Sequence, residues 1–150
     1  MIEKYVWLSN LKISNQTKFK LLKKFKGIDN LYNSSLDDLV EANLNDNIIF
    51  KILNKETKIK AKKDINYMNK HNIDIVYYND KYYPEKLKNI NDKPVCFYIK
   101  GNKNILDKES VGIVGSRNAF KSSLDFTKEI SKRISSKRNK YNKWFSKRNW

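Results

Sequence analysis

The stretch VGIVGSR, Val111 to Arg117, decides how the rest of the chain is read. An almost unbroken apolar run ends in Gly-Ser-Arg, and it takes two of the four glycines in 150 residues. Continuous apolar character suits a strand buried on both faces of a parallel sheet. A buried strand that runs through a glycine into a helix is the geometry that cups phosphates. Gly115 lets backbone approach a ligand, the first helical amides point outward unpaired, and the helix dipole favours an anion. Ser116 adds a hydroxyl, and Arg117 adds a forked cationic donor. A ligand-free strand-Gly-helix turn has the same local sequence. The run is neither GxGxxG nor a P-loop.

Working outward, the pattern on either side agrees with an α/β opening. The segment IDIVYY (73–78) reads as a short strand of β-branched and aromatic residues. Next comes a turn in which Pro84 can open a helical turn, then VCFYIKG (95–101), a second strand closed by Gly101. Residues 111–114 form the third strand, and 116 to about 134 a helix with Leu124, Phe126, Ile130 and Ile134 for its inner side. Strand, strand, strand, helix begins an α/β fold.

Residues 1–72 read as several short helices, a small bundle. Ser14 caps a helix bearing Phe19, Leu22 and Phe25 that Gly27 stops. Ser35 with Asp38 caps the next, bearing Leu36, Leu39 and Val40. Ile48, Ile49, Ile52 and Leu53 follow at helical spacing, and a longer helix ends near Asn72. LLKKFKGIDNL faintly resembles a helix-hairpin-helix, whose glycine turn presents amides to phosphate; the plainer reading is an ordinary glycine-stopped helix.

Charge points to an anionic partner. There are 32 Lys and Arg against 16 Asp and Glu, a net of +16, and nucleic acid is the first candidate. Half of the excess lies from Lys132 onward, where eight bases meet no acid. The lone Cys96 excludes an internal disulfide framework. The start, MIEKYVWLSNL, has neither a basic leader nor a membrane-length apolar run, so a cytoplasmic chain without membrane contact is expected.

The order of motifs sharpens the reading. YYPEKLKNINDKPVCFYIKGN followed by VGIVGSRNA resembles the pattern of the DNA-processing protein A (DprA, or Smf) family. It matches at Tyr83, Pro84, Leu87, Ile90, Asp92, Pro94, Gly101, Asn102, Val111, Ile113, Val114, Gly115, Ser116 and Arg117. Phe97 replaces a usual aliphatic, Gly112 a common Ala, and Ser122 and Ser123 stand where the family tends to have Tyr-Gly. The resemblance implies a Rossmann-like domain that binds single-stranded DNA, protects it in natural transformation and loads the RecA recombinase. It implies a cytoplasmic protein without cofactor or catalytic residues, and a homodimer in full-length relatives. Carried over, the DNA phosphate site is Gly115, Ser116 and Arg117. The expected division is a helical domain of SAM or helix-hairpin-helix type over 1–72, the first part of the Rossmann-like domain over 73–135, and a basic tail over 136–150.

That tail, SKRNKYNKWFSKRNW, departs from the family, where a strand and a second glycine motif come next. Back-translated with AT-rich codons and read one base later, it gives VKEINIISGLAKGI, close to the expected motif, and the single codon of Trp144 fixes the glycine of SGL. The expectation is a change of frame near residues 135–138, leaving a fragment with an incomplete sheet and weak or lost activity. Two other readings differ in class: a fragment of a Rossmann-like nucleotide-binding enzyme, and a helical interaction module. His71 and Cys96 are expected to serve as helix cap and core. Tyr77, Tyr78, Tyr82 and Tyr83, interleaved with lysines, serve either packing or base stacking. No catalytic set and no metal-ligand spacing emerges.

Overall fold

The computed structural model describes residues 1–116 and 118–137. Arg117 and the tail residues 138–150, with the expected out-of-frame motif, lie outside them. One compact unit spans Met1–Lys103 and a second begins at Asn104.

The first unit is built around α1, Ile2–Asn10, in which Tyr5, Val6, Trp7 and Leu8 are all buried. Four consecutive buried side chains leave no polar face, the mark of a helix surrounded on all sides. Around α1 lie α2 (Asn15–Lys24), α3 (Ile28–Asn33), α4 (Leu36–Glu41), α5 (Asp46–Leu53) and α6 (Lys55–Lys70). Trp7 donates its indole N–H to Thr57 Oγ1 at 3.2 Å, so the largest core side chain is fixed to α6 by its polar atom as well as its area.

Local chemistry sets the helix boundaries. Ser14 accepts the Thr17 N–H, and Ser35 and Asp38 form a reciprocal capping box. Asn45 caps α5, and Asn54 both ends α5 and caps α6. Three helices stop the same way. Lys26, Asn43 and Asn72 adopt φ of 56°, 49° and 52°, and the amide after each reaches back to Leu22, Leu39 and Met68 at 2.9, 3.3 and 2.9 Å. These are Schellman closures that satisfy the last carbonyls. Gly27, at φ 134°, takes the position that a side chain would strain. His71 is the C-cap of α6, its ring 4.1 Å from that of Tyr67.

Two strands complete the first unit: β1, Asp74–Tyr77, and β2, Cys96–Ile99. They pair antiparallel, with Ile75 opposite Tyr98 and Val76 opposite Phe97. Successive side chains point to opposite faces. Ile75, Tyr77 and Cys96 join the helical core, while Phe97, opposite the buried Val76, lies with its ring 5.7 Å from that of Tyr83. Between the strands α7, Glu85–Lys88, starts at Pro84 as the proline predicts.

The second unit departs from the sequence reading. Among the described residues the only sheet is this antiparallel pair, and no Rossmann-like parallel sheet is seen in them. Residues 111–114, expected as a third strand, are irregular and exposed, with Val114 at 96 %. A lone strand leaves its amides and carbonyls unpaired, and with no neighbour to bond them the segment stays solvated. The last helix, α8, runs Lys121–Lys137, five residues later than the expected start. Leu124 and Phe126, assigned to its inner side, are exposed; two residues apart, they lie about 200° around a helix and cannot share a face.

Candidate nucleic-acid interface

The predicted phosphate turn begins with two described residues. Gly115 is open: among the described residues no heavy atom outside its chain neighbours lies within 4 Å of where a Cβ would stand, and its φ is outside the left-handed region. Ser116 is exposed, and its Oγ accepts the Asn118 N–H at 3.2 Å, a hydroxyl-closed turn. That turn delays the helix, whose register starts where Leu124 N–H reaches Phe120 O at 3.1 Å. The amides at 115 and 116 therefore stand ahead of α8, not within its first turn. Arg117, the third site residue, is not described.

Helix α8 opens with Lys121, Ser122 and Ser123 and has no acidic residue in its first turn. Its two acids sit further along and are paired locally, Asp125 with Lys128 at 3.6 Å and Glu129 with Arg133 at 2.6 Å. The end of the helix that carries positive partial charge thus faces no carboxylate of its own. Reading the helix from Ser116 overlooked this hydroxyl-rich start; the Ser-Ser pair was the available signal.

The motif residues in the first unit are construction. Tyr83 is 1 % exposed, and its phenol donates to Pro94 O at 2.7 Å. Burial holds that phenol neutral, its pKa pushed up to about 12. Pro84 is buried, and Gly101 adopts φ 123° after β2. Asp92 offers its carbonyl to the Asn15 amide at 3.3 Å. Tyr83, Pro84 and Asp92 lie in the connection from β1 to β2, and Gly101 follows β2.

The four tyrosines divide by role. Tyr83 is core. Tyr77 stacks on Tyr5 at 4.6 Å and 18°, and Tyr78 sets its edge against Phe19 at 4.7 Å. Tyr82 lies between two cations, Lys81 at 4.9 Å and Lys103 at 5.0 Å from the ring centre. Cys96 is buried as expected, its Sγ 3.6 Å from Tyr5 O, and burial pushes the thiol up to about 11. Beside it Lys18, 6 % exposed, donates to Ser9 O at 2.9 Å; burial lowers its pKa.

Tyr83, Gly101 and the open Gly115 turn follow one another in the order of a single family. The sequence model of DNA recombination-mediator protein A matches residues 74–140, from the first residue of β1. Over this stretch, somewhat less than half of the chain, the sequence is similar to that family. It is the DNA-processing protein A family under another name, and its members are mediators of DNA recombination. No curated protein and no solved structure matches the chain. Among the described residues no helix is long and apolar enough to cross a membrane, and no group of His, Cys, Asp or Glu could hold a metal.

Proposed function

We propose that the chain binds single-stranded DNA through the Gly115-Ser116-Arg117 turn and serves recombination by holding the strand for the RecA recombinase, without catalysing a reaction. The observation that carries the reading is the openness of Gly115. Within a family of recombination mediators, a motif glycine that neither adopts a left-handed φ nor packs against anything has no structural task in this fold. Close approach of a ligand to backbone is the remaining use of a missing side chain. The exposed hydroxyl of Ser116 and the guanidinium of Arg117 supply the donors a phosphate requires.

The same proposal makes Val111–Val114 a strand of a Rossmann-like sheet. The apolar run with Val111, Ile113 and Val114 exposed supports this, since such a run is suited to pairing on both sides. The division at residue 72/73, the cytoplasmic setting and self-association belong to it as well.

The test is a fluorescence-anisotropy titration of the chain with oligo-dT across a salt series. Arg117→Ala should weaken binding and make the slope of log K against log salt shallower by about 0.7, the loss of one contact on a single strand. Unchanged affinity and slope in this variant would remove the turn from the interface; if deletion of residues 137–150 then abolished binding, the basic tail alone would account for it.

A further inference from the structure

A second place in the first unit has the chemistry of a nucleic-acid contact. Between α2, the start of α3 and the end of β1 opens a cavity of about 600 Å³, within the 300–1,000 Å³ span of small-ligand sites. Its wall is aromatic: Phe19, Tyr77 and Tyr78 line it, all half-buried, so each ring is held by the core while part of it meets the cavity. Tyr77 is held flat against Tyr5, and Tyr78 edge-on to Phe19.

The rim is polar and of both signs. Lys23, in the last turn of α2, and the Asn79 amide reach it, as does Asp29, whose carboxylate is paired with Lys4. Rings for a flat π-face, an amide and a carboxylate for the edge of a base, and an ammonium for a phosphate are the donor set that single-strand binders combine. Charge points the same way. From Lys4 to Ile28 the chain carries seven lysines and no acidic residue. One of these, Lys18, is buried, and Lys23 is the one that lines the cavity.

We infer that this cleft is a base-binding subsite for single-stranded DNA, with a base against Tyr77 and Tyr78 and its phosphate at Lys23. The inference rests on the proposed DNA-binding function but uses none of the residues of the glycine turn, so the two can fail separately.

Photocrosslinking of the full chain to an oligo-dT carrying 5-iodouracil, followed by trypsin and mass spectrometry, tests the rings. The adduct is expected on the peptide 71–81, at Tyr77 or Tyr78. Lys23→Gln, at an exposed position, tests the phosphate contact: binding should fall severalfold, with a salt slope shallower by about 0.7, and the urea midpoint should stay in place. Adducts confined to other peptides, or a Lys23→Gln titration superimposable on the wild type, would overturn the subsite. If Lys23→Gln is silent while Arg117→Ala weakens binding, the cleft falls and the turn stands. If the chain binds no oligo-dT, both fall.

Discussion

Tyr83 and Gly115 belong to one family pattern but sit in opposite surroundings. Around Tyr83 the motif does structural work: the phenol bonds a carbonyl, Pro84 starts a helical turn under cover, and Gly101 bends the chain at a φ that side chains avoid. Around Gly115 nothing is spoken for. Its missing Cβ faces open space, and Val114 beside it is 96 % exposed. A motif residue that is buried and bonded explains itself by folding. One that is neither has to be explained by what it meets, and this contrast separates the scaffold of the chain from its candidate contact surface.

The largest break in that contrast comes from removing the scaffold side. Tyr83→Ala should cost about 3–5 kcal/mol, the range for deleting a fully buried ring and leaving the space behind, read as a lower urea midpoint. Tyr83→Phe keeps the ring but strands the Pro94 carbonyl, and should cost about 1–3 kcal/mol. Val114→Ala should stay within about 0.5 kcal/mol, as exposed substitutions do. A Val114 variant as damaging as Tyr83→Ala would mean that the two regions do not differ.

Alkaline pH probes the same contrast at intermediate strength. Burial raises the Cys96 thiol from 9.0 to about 11 and the Tyr83 phenol from 10.0 to about 12. In both, the folded state favours the neutral form. Their contributions are therefore complete below the unfolded values and are lost as pH rises through 9–11 for Cys96 and 10–12 for Tyr83. Urea midpoints should fall across these windows. Cys96→Ala should reduce the fall across the lower window and Tyr83→Phe the fall across the upper one, to which the raised phenols of Tyr5 and Tyr98 also contribute, whereas Ser116→Ala should leave both unchanged.

The sequence made the first region legible and only half of the second. The caps at Ser14 and Ser35, the stops at Gly27 and Asn72 and the helical turn after Pro84 could be read because each depends on contacts within a few residues, and both strands because their β-branched and aromatic runs mark them locally. The engagement of Tyr77 with Tyr5 and of Trp7 with Thr57 could not, because those partners lie 72 and 50 positions apart. The third strand, not seen among the described residues, stands apart for a different reason. Apolar continuity reports that a segment suits burial, but pairing depends on a neighbouring strand, which no local pattern encodes. The start of α8 moved because Ser116 used its hydroxyl to close a turn, the competition between side-chain and backbone bonding that makes serine ambiguous ahead of helices.

Two glycines bring the comparison to its finest point, with the smallest effect on stability. Gly101 holds φ 123°, where an alanine is strained whatever the space around it, so Gly101→Ala should destabilise by about 1–3 kcal/mol. Gly115 has an ordinary φ and open space, so Gly115→Ala should leave the folded state untouched. It could even gain about 0.4–1 kcal/mol, because alanine restricts the unfolded chain more than glycine does. Binding should rank the pair the other way. A methyl group at 115 stands between the backbone amides and a phosphate, and oligo-dT affinity should drop; at 101 the affinity should follow only the folded fraction. Urea titration and anisotropy on the two variants give four numbers. A Gly115→Ala protein that is unchanged in both stability and affinity would show that the open glycine is an idle position, and the contact surface would have to be sought elsewhere on the chain.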